Sequence, residues 1–290
     1  MYSQIDSNKR KSIILITIFT ILVIFLGYVI GQATGYGYNG LIIAVVISIL
    51  MTLTSYYKGD VIALKTAGAV GPISQEQNPY IYRLVENLAI TAGIPIPKIY
   101  IINDPALNAF ATGRDPEHAS IALTTGIIQA LENEELEGVI AHELSHIKNY
   151  DIRLMMLVIV LVGVVTLLAD WFLRFNFFRS SDNRQNNGAI FALVGLILAI
   201  LSPLFAELIK LAISRKREFL ADASAALLTR YPEGLARALE KIAQQPDIKR
   251  ANKATAHLYI ANPFSKNNFS KLFSTHPPIA ERISALRKMA

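Results

Sequence analysis

His142-Glu143-Leu144-Ser145-His146 sets two imidazoles four residues apart with a carboxylate next to the first of them. At about 100° per residue, helix positions four apart differ in direction by about 40°, so both rings leave one face and can grip one ion, with Glu143 beside them. A zinc ion held in this way lowers the pKa of its water towards ~7, and Glu143 is placed to accept that proton and pass it to a leaving amine. Chance alone produces three fixed residues, at roughly one in twenty each, in about 3–4% of chains this long. The surroundings sharpen the signal. The motif falls in a predicted helix from Asn133 to about Tyr150, with Asn133 as N-cap, Glu134 and Glu135 at the positive helix start, and Leu136, Val139, Ile140 and Ile147 on an apolar face. Two histidines and a glutamate have little reason to sit in such an element unless they do chemistry.

A catalytic zinc takes three protein ligands and leaves a fourth position for water. The chain has no cysteine, so every ligand must be histidine or carboxylate. Glu218 is the best downstream candidate, because it opens an E-x-x-x-D with Asp222 one helical turn behind it. Asp222 then suits the task of orienting a histidine ligand through its far ring nitrogen. The alternative is a solvated helix face on which Glu218 pairs with Arg215, Lys216 or Arg217.

The elements that carry these residues belong to an unusual chain. Of 290 residues, 52% are hydrophobic and only 17% charged, against about 25% charged in soluble domains. This balance argues against an ordinary soluble domain, and a disordered chain and collagen-like or low-complexity architectures are excluded. The +6 net charge is read as basic flanks of membrane segments rather than as a nucleic-acid surface; no nucleic-acid partner is expected. Four apolar stretches are long enough to approach a bilayer's thickness. Residues 13–30 follow Lys9, Arg10 and Lys11, and residues 40–57 precede Lys58; positive outer flanks place both ends in the cytoplasm. Residues 154–172 and about 190–213 form a second pair, which either crosses the membrane or inserts shallowly.

The expected organisation is therefore an N-terminal membrane hairpin (1–57), a first part of a globular domain with the histidine motif (58–153), the second membrane pair (154–213) and a second part of the same domain (214–290). The polar parts read as α+β. Helical spacing covers Gln75 to Gly93, strands are predicted at Lys98 to Ile102, Asn108 to Gly113 and Ser120 to Leu123, and the overall class is an integral membrane protein, mainly α.

Taken together, the two N-terminal apolar stretches, His142-Glu-Leu-Ser-His146, Arg215-Lys-Arg-Glu218-Phe-Leu-Ala-Asp222 and Ser274-Thr275-His276-Pro277-Pro278 resemble the HtpX family of membrane-bound zinc metalloproteases. The resemblance covers nearly the whole chain in order. That family is related to the endopeptidases that process prenylated CAAX proteins, and both are gluzincins, whose third zinc ligand is a glutamate. The resemblance implies one zinc per chain on His142, His146 and Glu218, Glu143 as general base, and Asp222 as the residue that orients a ligand. It also implies that His276 and Arg282, six residues apart, stabilise the oxyanion, or that His276 covers the zinc as a latch. Otherwise His276 caps the helix that starts at Pro277-Pro278, and Arg282 makes a surface salt bridge.

Asn108-Ala109-Phe110-Ala111-Thr112-Gly113 resembles the edge strand on which gluzincins bind substrate in extended form; from sequence alone the strand is as readily a buried one. His146 lies eight residues before the third apolar stretch and Glu218 five after Ile213, so the zinc site is expected close to the membrane, facing the cytoplasm. The expected function is zinc-dependent endopeptidase action on polypeptides, with quality control of damaged membrane proteins implied by analogy. The competing readings are a silent zinc-binding membrane scaffold, a CAAX-type processing protease and a basic protein that binds anionic lipid. Oligomeric state is not legible.

Overall fold

The computed structural model describes residues 2–33, 37–157, 215–244 and 277–289. His276 and all but residues 154–157 of the second pair of apolar stretches lie outside the described residues.

Helices α1 (Tyr2–Ala33) and α2 (Tyr38–Thr66) pack along each other. They contain the two N-terminal apolar stretches, and α2 continues past Tyr57 to Thr66. After β1 (Ala69–Val70) comes α3 (Pro79–Ala92). Its start follows from the sequence: the Asn78 side chain accepts a hydrogen bond from the Ile81 N–H at 3.1 Å, and Pro79 at the first position has no N–H to leave unsatisfied. Its end is Gly93, at φ 68°, a left-handed conformation that a side chain would strain. Ile81, Leu84, Val85 and Leu88, the apolar face expected of this helix, are all buried.

Strands β2 (Lys98–Ile102), β3 (Ala109–Gly113) and β4 (Ala119–Thr124) join β1 in a mixed sheet of order β1-β2-β4-β3. β2 and β4 run parallel from Lys98↔Ser120 to Ile102↔Thr124, and β3 lies antiparallel to β4 from Ala109↔Leu123 to Gly113↔Ala119. Among the described residues β3 is thus a sheet edge, yet its residues are all buried. One face of the sheet joins the main core with α3 and α5. Phe110, Ile102 and Ala122 on the other face pack with Ala63 and Leu64 of α2 and with Met155.

A short helix α4 (Thr125–Ala130) leads to α5 (Asn133–Lys148), which carries the histidine motif. The expected N-cap at Asn133 is corrected by one residue. Glu132 holds the extended conformation of a cap, and its N–H donates to the Glu135 carboxylate at 2.9 Å, which reaches back from the third helical position. Asn133 is already inside the helix, where its amide donates to Glu137 at 3.0 Å. Helix α6 (151–157) follows, then α7 (Arg215–Thr229), α8 (Pro232–Ala243) and α9 (Ile279–Arg287).

α5 is the centre of the domain, touched by α3, α7, α8 and β3. Close approach of α5 and α8 requires two glycines. A Cβ on Gly138 would lie 2.7 Å from the Leu235 nitrogen, and one on Gly234 would lie 2.5 Å from the Glu134 carbonyl oxygen. The price of this central position is that His142, Glu143 and His146 are removed from water, at 1%, 5% and 4% exposure. Burying such groups is costly unless each is partnered, which directs attention to what surrounds them.

Candidate metal centre

Helix α5 projects His142 and His146 from one face, their rings edge to face with centroids 4.7 Å apart. α7 brings Glu218 opposite: its Oε2 lies 3.7 Å from His142 Nε2 and its Oε1 3.6 Å from His146 Nε2. Glu218 is 1% exposed, so the solvated-face alternative for this residue is overturned. The three side chains each offer a ligand atom within 4.8 Å of the others.

The far ring nitrogens are fixed by carboxylates. His142 Nδ1 lies 3.0 Å from Asp222 Oδ1, and His146 Nδ1 lies 3.0 Å from Asp151 Oδ2. With Nδ1–H donating in each case, both Nε2 lone pairs are turned to the same point, 3.2 Å apart. Lone pairs do not face one another at that distance without a proton or cation between them. A tetrahedral zinc bonded at about 2.0–2.1 Å to nitrogen and oxygen spaces its ligands by about 3.3–3.4 Å. The donor set and its separations therefore fit such an ion.

The electrostatics agree. Burial, helped by the nearby Arg282 cation, lowers the His142 pKa and favours the neutral, ligating imidazole. Burial also works against charge on His146, but the hydrogen bond to Asp151 and the carboxylates of Glu218 and Glu143 outweigh it and push the group up to about 9. The pocket thus attracts positive charge to the place where the ligand atoms converge. Burial pushes Glu143 up to about 7, a value suited to a base working near neutrality, even though the Ala111 N–H donates to its carboxylate.

Arg282 enters from α9 and is fully buried, so it is no surface salt bridge. Its Nε donates to Asp222 Oδ2 at 2.8 Å and its Nη2 to Oδ1 at 2.7 Å, while Nη1 lies 3.7 Å from Glu218 Oε2. Nη2 is also 3.4 Å from His142 Nε2. The guanidinium therefore sits at the edge of the centre and braces Asp222, and the structure brings it together with two of the candidate ligands, His142 and Glu218. Of the strand residues, Ala111 reaches the site through its backbone. Asn108, Ala109 and Phe110 are buried, and the Phe110 side chain faces α2. Sequence reasoning missed Asp151. Its signal was an acid five residues beyond His146, just past the helix end, where a short turn can fold it back onto the ring.

Residues 75–290 match the model of Peptidase family M48. The chain belongs to peptidase family M48. Two similar relatives, each named Protease HtpX homolog, come from Dictyoglomus turgidum (51% identical, covering 99% of this chain and 94% of the relative) and Streptococcus uberis (43%, covering 100% of each). These put the peptidase on the HtpX branch of the family. Among solved structures, a crystal structure of S. mikatae Ste24p is similar in fold, with a TM-score of 0.53 and 20% identity over 99% of this chain and 67% of that one. The chain is a metalloendopeptidase, and the mainly helical fold is that of its family.

Proposed function

We propose that the peptidase is a membrane-held zinc endopeptidase in which His142, His146 and Glu218 hold the metal, Glu143 is the general base and Asp222 orients His142. The observation that carries this reading is the convergence of the three buried donors, with Glu143 beside His142 on the same helix, in a chain of a metallopeptidase family.

When bound, zinc supplies Lewis acidity for water and for the substrate carbonyl. The chain's own residues do the rest. Asp222 and Asp151 keep protons on the Nδ1 atoms, so the Nε2 atoms stay available as donors. Glu143 takes a proton from the attacking water and delivers it to the leaving amine. Arg282 opposes negative charge gathering at the centre from its position beside Glu218 and His142, and His276 is the second member of this cationic pair.

A polypeptide substrate binds in extended form alongside β3, at the segment Asn108 to Ala111. Support comes from the sheet order, which leaves β3 paired with β4 alone among the described residues, and from the Ala111 N–H, which ties this edge to Glu143. The recognition is mainly backbone, which suits unfolded and varied substrates such as damaged membrane proteins.

The membrane reading rests on α1 and α2. Val45–Thr66 is long and apolar enough to cross a bilayer, and Ile13, Ile21, Ile42 and Leu50 on the two helices are each more than half exposed, at 66%, 63%, 60% and 58%. Such side chains are accounted for by lipid contact. In this arrangement 1–57 is an anchor hairpin, 58–153 and 214–290 are two parts of one catalytic domain interrupted by the membrane pair 154–213, and the basic flanks keep the N-terminus and the site on the cytoplasmic side.

The test is degradation of an unstructured model protein by the detergent-purified chain, wild type beside Glu143→Gln, with zinc counted in both. Hydrolysis lost in the variant with about one zinc per chain retained supports the reading. Wild-type protein purified without chelator that holds no metal and cleaves nothing overturns it.

A further inference from the structure

Asn8 is a polar residue at 1% exposure near the start of α1, while the adjacent Lys9 and Arg10 are exposed. Asparagine is a poor helix former, and an amide removed from water is costly unless bonded. Its bonds reach across the whole chain. Nδ2 donates to Asp151 Oδ1 at 2.7 Å and to the Asn149 carbonyl at 2.8 Å, and Oδ1 accepts from Arg217 Nη1 at 3.4 Å. Arg217 Nη1 also donates to Asp151 Oδ1, at 3.2 Å.

The Asp151 carboxylate is therefore held from both sides. Oδ1 receives Asn8 and Arg217, and Oδ2 receives His146 Nδ1–H at 3.0 Å. The turn that carries Asp151 back towards His146 is not a relaxed one, because Tyr150 has φ 60°, in the left-handed region. Asn8 grips this turn on both flanks of Tyr150, through Asn149 and Asp151. Lys9, its neighbour on α1, lies 4.6 Å above the Tyr150 ring.

We propose that Asn8 is a positioning residue for His146, acting through Asp151, and that α1 is accordingly a working part of the metal centre as well as an anchor. The inference rests on the reading of His146 as a metal ligand. It assigns Asp151 and Arg217 to the same network, which joins α1 to the two helices that carry the ligands. Loss of the Asn8 amide frees the turn and lets the Asp151 carboxylate rotate, so the imidazole is held less firmly and its basicity changes.

The test uses the full-length protein in detergent, loaded with zinc or with cobalt, as wild type, Asn8→Ala and Phe19→Leu. Phe19 is buried on the same helix and outside the network, so its variant reports loss of packing alone. The expected result for Asn8→Ala is zinc release to a chromophoric chelator about 10-fold faster than wild type and altered visible absorption of the cobalt form, both unchanged in Phe19→Leu. Release and spectrum in Asn8→Ala equal to wild type overturn the inference while leaving the metal reading intact. A wild type that takes up neither metal overturns both. Should Asn8→Ala not fold, hydrogen exchange of the wild-type chain decides: zinc loading slows exchange at residues 5–12 together with 142–151 if Asn8 is coupled to the centre, and protection confined to 142–151 contradicts it.

Discussion

Arg282 and Asp222 form a two-pronged ion pair inside the protein, with Nε–Oδ2 and Nη2–Oδ1 distances of 2.8 and 2.7 Å. The same carboxylate holds His142 Nδ1 at 3.0 Å. One residue thus receives a cation from α9 and orients a ring on α5, so the C-terminal helix is locked to the centre through a charge that neither partner can lose alone. Burial opposes ionisation of Asp222, but Arg282 and His142 outweigh it and hold its carboxyl well below the usual carboxylate range.

Breaking this pair from one side strands a buried charge. Arg282→Met is expected to destabilise the protein by about 3–5 kcal/mol at pH 7, and Arg282→Lys to restore only part of the loss, since an ammonium cannot make the parallel pair of bonds. A depressed folded-state pKa contributes stability above the unfolded value, lost as pH falls through the folded one. The penalty of Arg282→Met should therefore shrink in acid. Denaturant titrations at several pH values measure it, and the double variant with Asp222→Asn should cost less than the sum of the single ones.

Glu143 exchanges stability for function. Its raised folded-state pKa, about 7 against 4.5, stabilises the fold fully below the unfolded pKa and loses that contribution as pH rises through 7. At pH 8 the buried carboxylate is a liability. Glu143→Gln should then raise the stability of the metal-free protein by roughly 3 kcal/mol, with little change at pH 4, while hydrolysis falls by at least about 100-fold. Thermal melts at the two pH values check the first part and peptide cleavage the second.

Metal uptake should be strongly pH-dependent. In the protein without metal His146 is pushed up to about 9, so at pH 7 the ion must displace a proton. Affinity is expected to fall about tenfold for each pH unit below 9, and calorimetry in two buffers of different ionisation heat should find about one proton released per zinc.

Gly138 is a structural position. A methyl group there meets the Leu235 nitrogen at 2.7 Å and its Cα at 2.8 Å, backbone atoms that cannot step aside. Gly138→Ala should separate α5 from α8 and cost about 1–3 kcal/mol, read as a lower melting temperature with the metal count per folded chain unchanged.

Much of this was legible in the sequence because its physics is local. The apolar spacing of α3, the run Lys98 to Ile102 and the histidine motif on α5 each mark their own element, and the four-residue spacing of His142 and His146 put them on one face; Glu218, far away in the chain, was expected there from its E-x-x-x-D and from the family resemblance rather than from spacing. What was not legible is set by tertiary contact. Asn133 looks like a cap, but Glu135 reaching back to Glu132 moves the helix start by one residue. Whether β3 lies at an edge depends on sheet order, which no strand encodes alone. A basic residue in a short C-terminal helix gives no sign that it will be fully buried on Asp222, and an asparagine beside three basic residues gives none that it will hold a turn more than a hundred residues away.

The central claim is that His142, His146 and Glu218 hold the metal as a set. It is tested most directly by zinc per chain, measured by elemental analysis on folded wild type, His142→Ala, His146→Ala and Glu218→Gln, purified without chelator and dialysed against the same free zinc. The expected result is about one zinc in the wild type, as a three-ligand centre requires, and a large loss in each variant. Full occupancy in all three variants, or in Glu218→Gln with native affinity, would contradict the account.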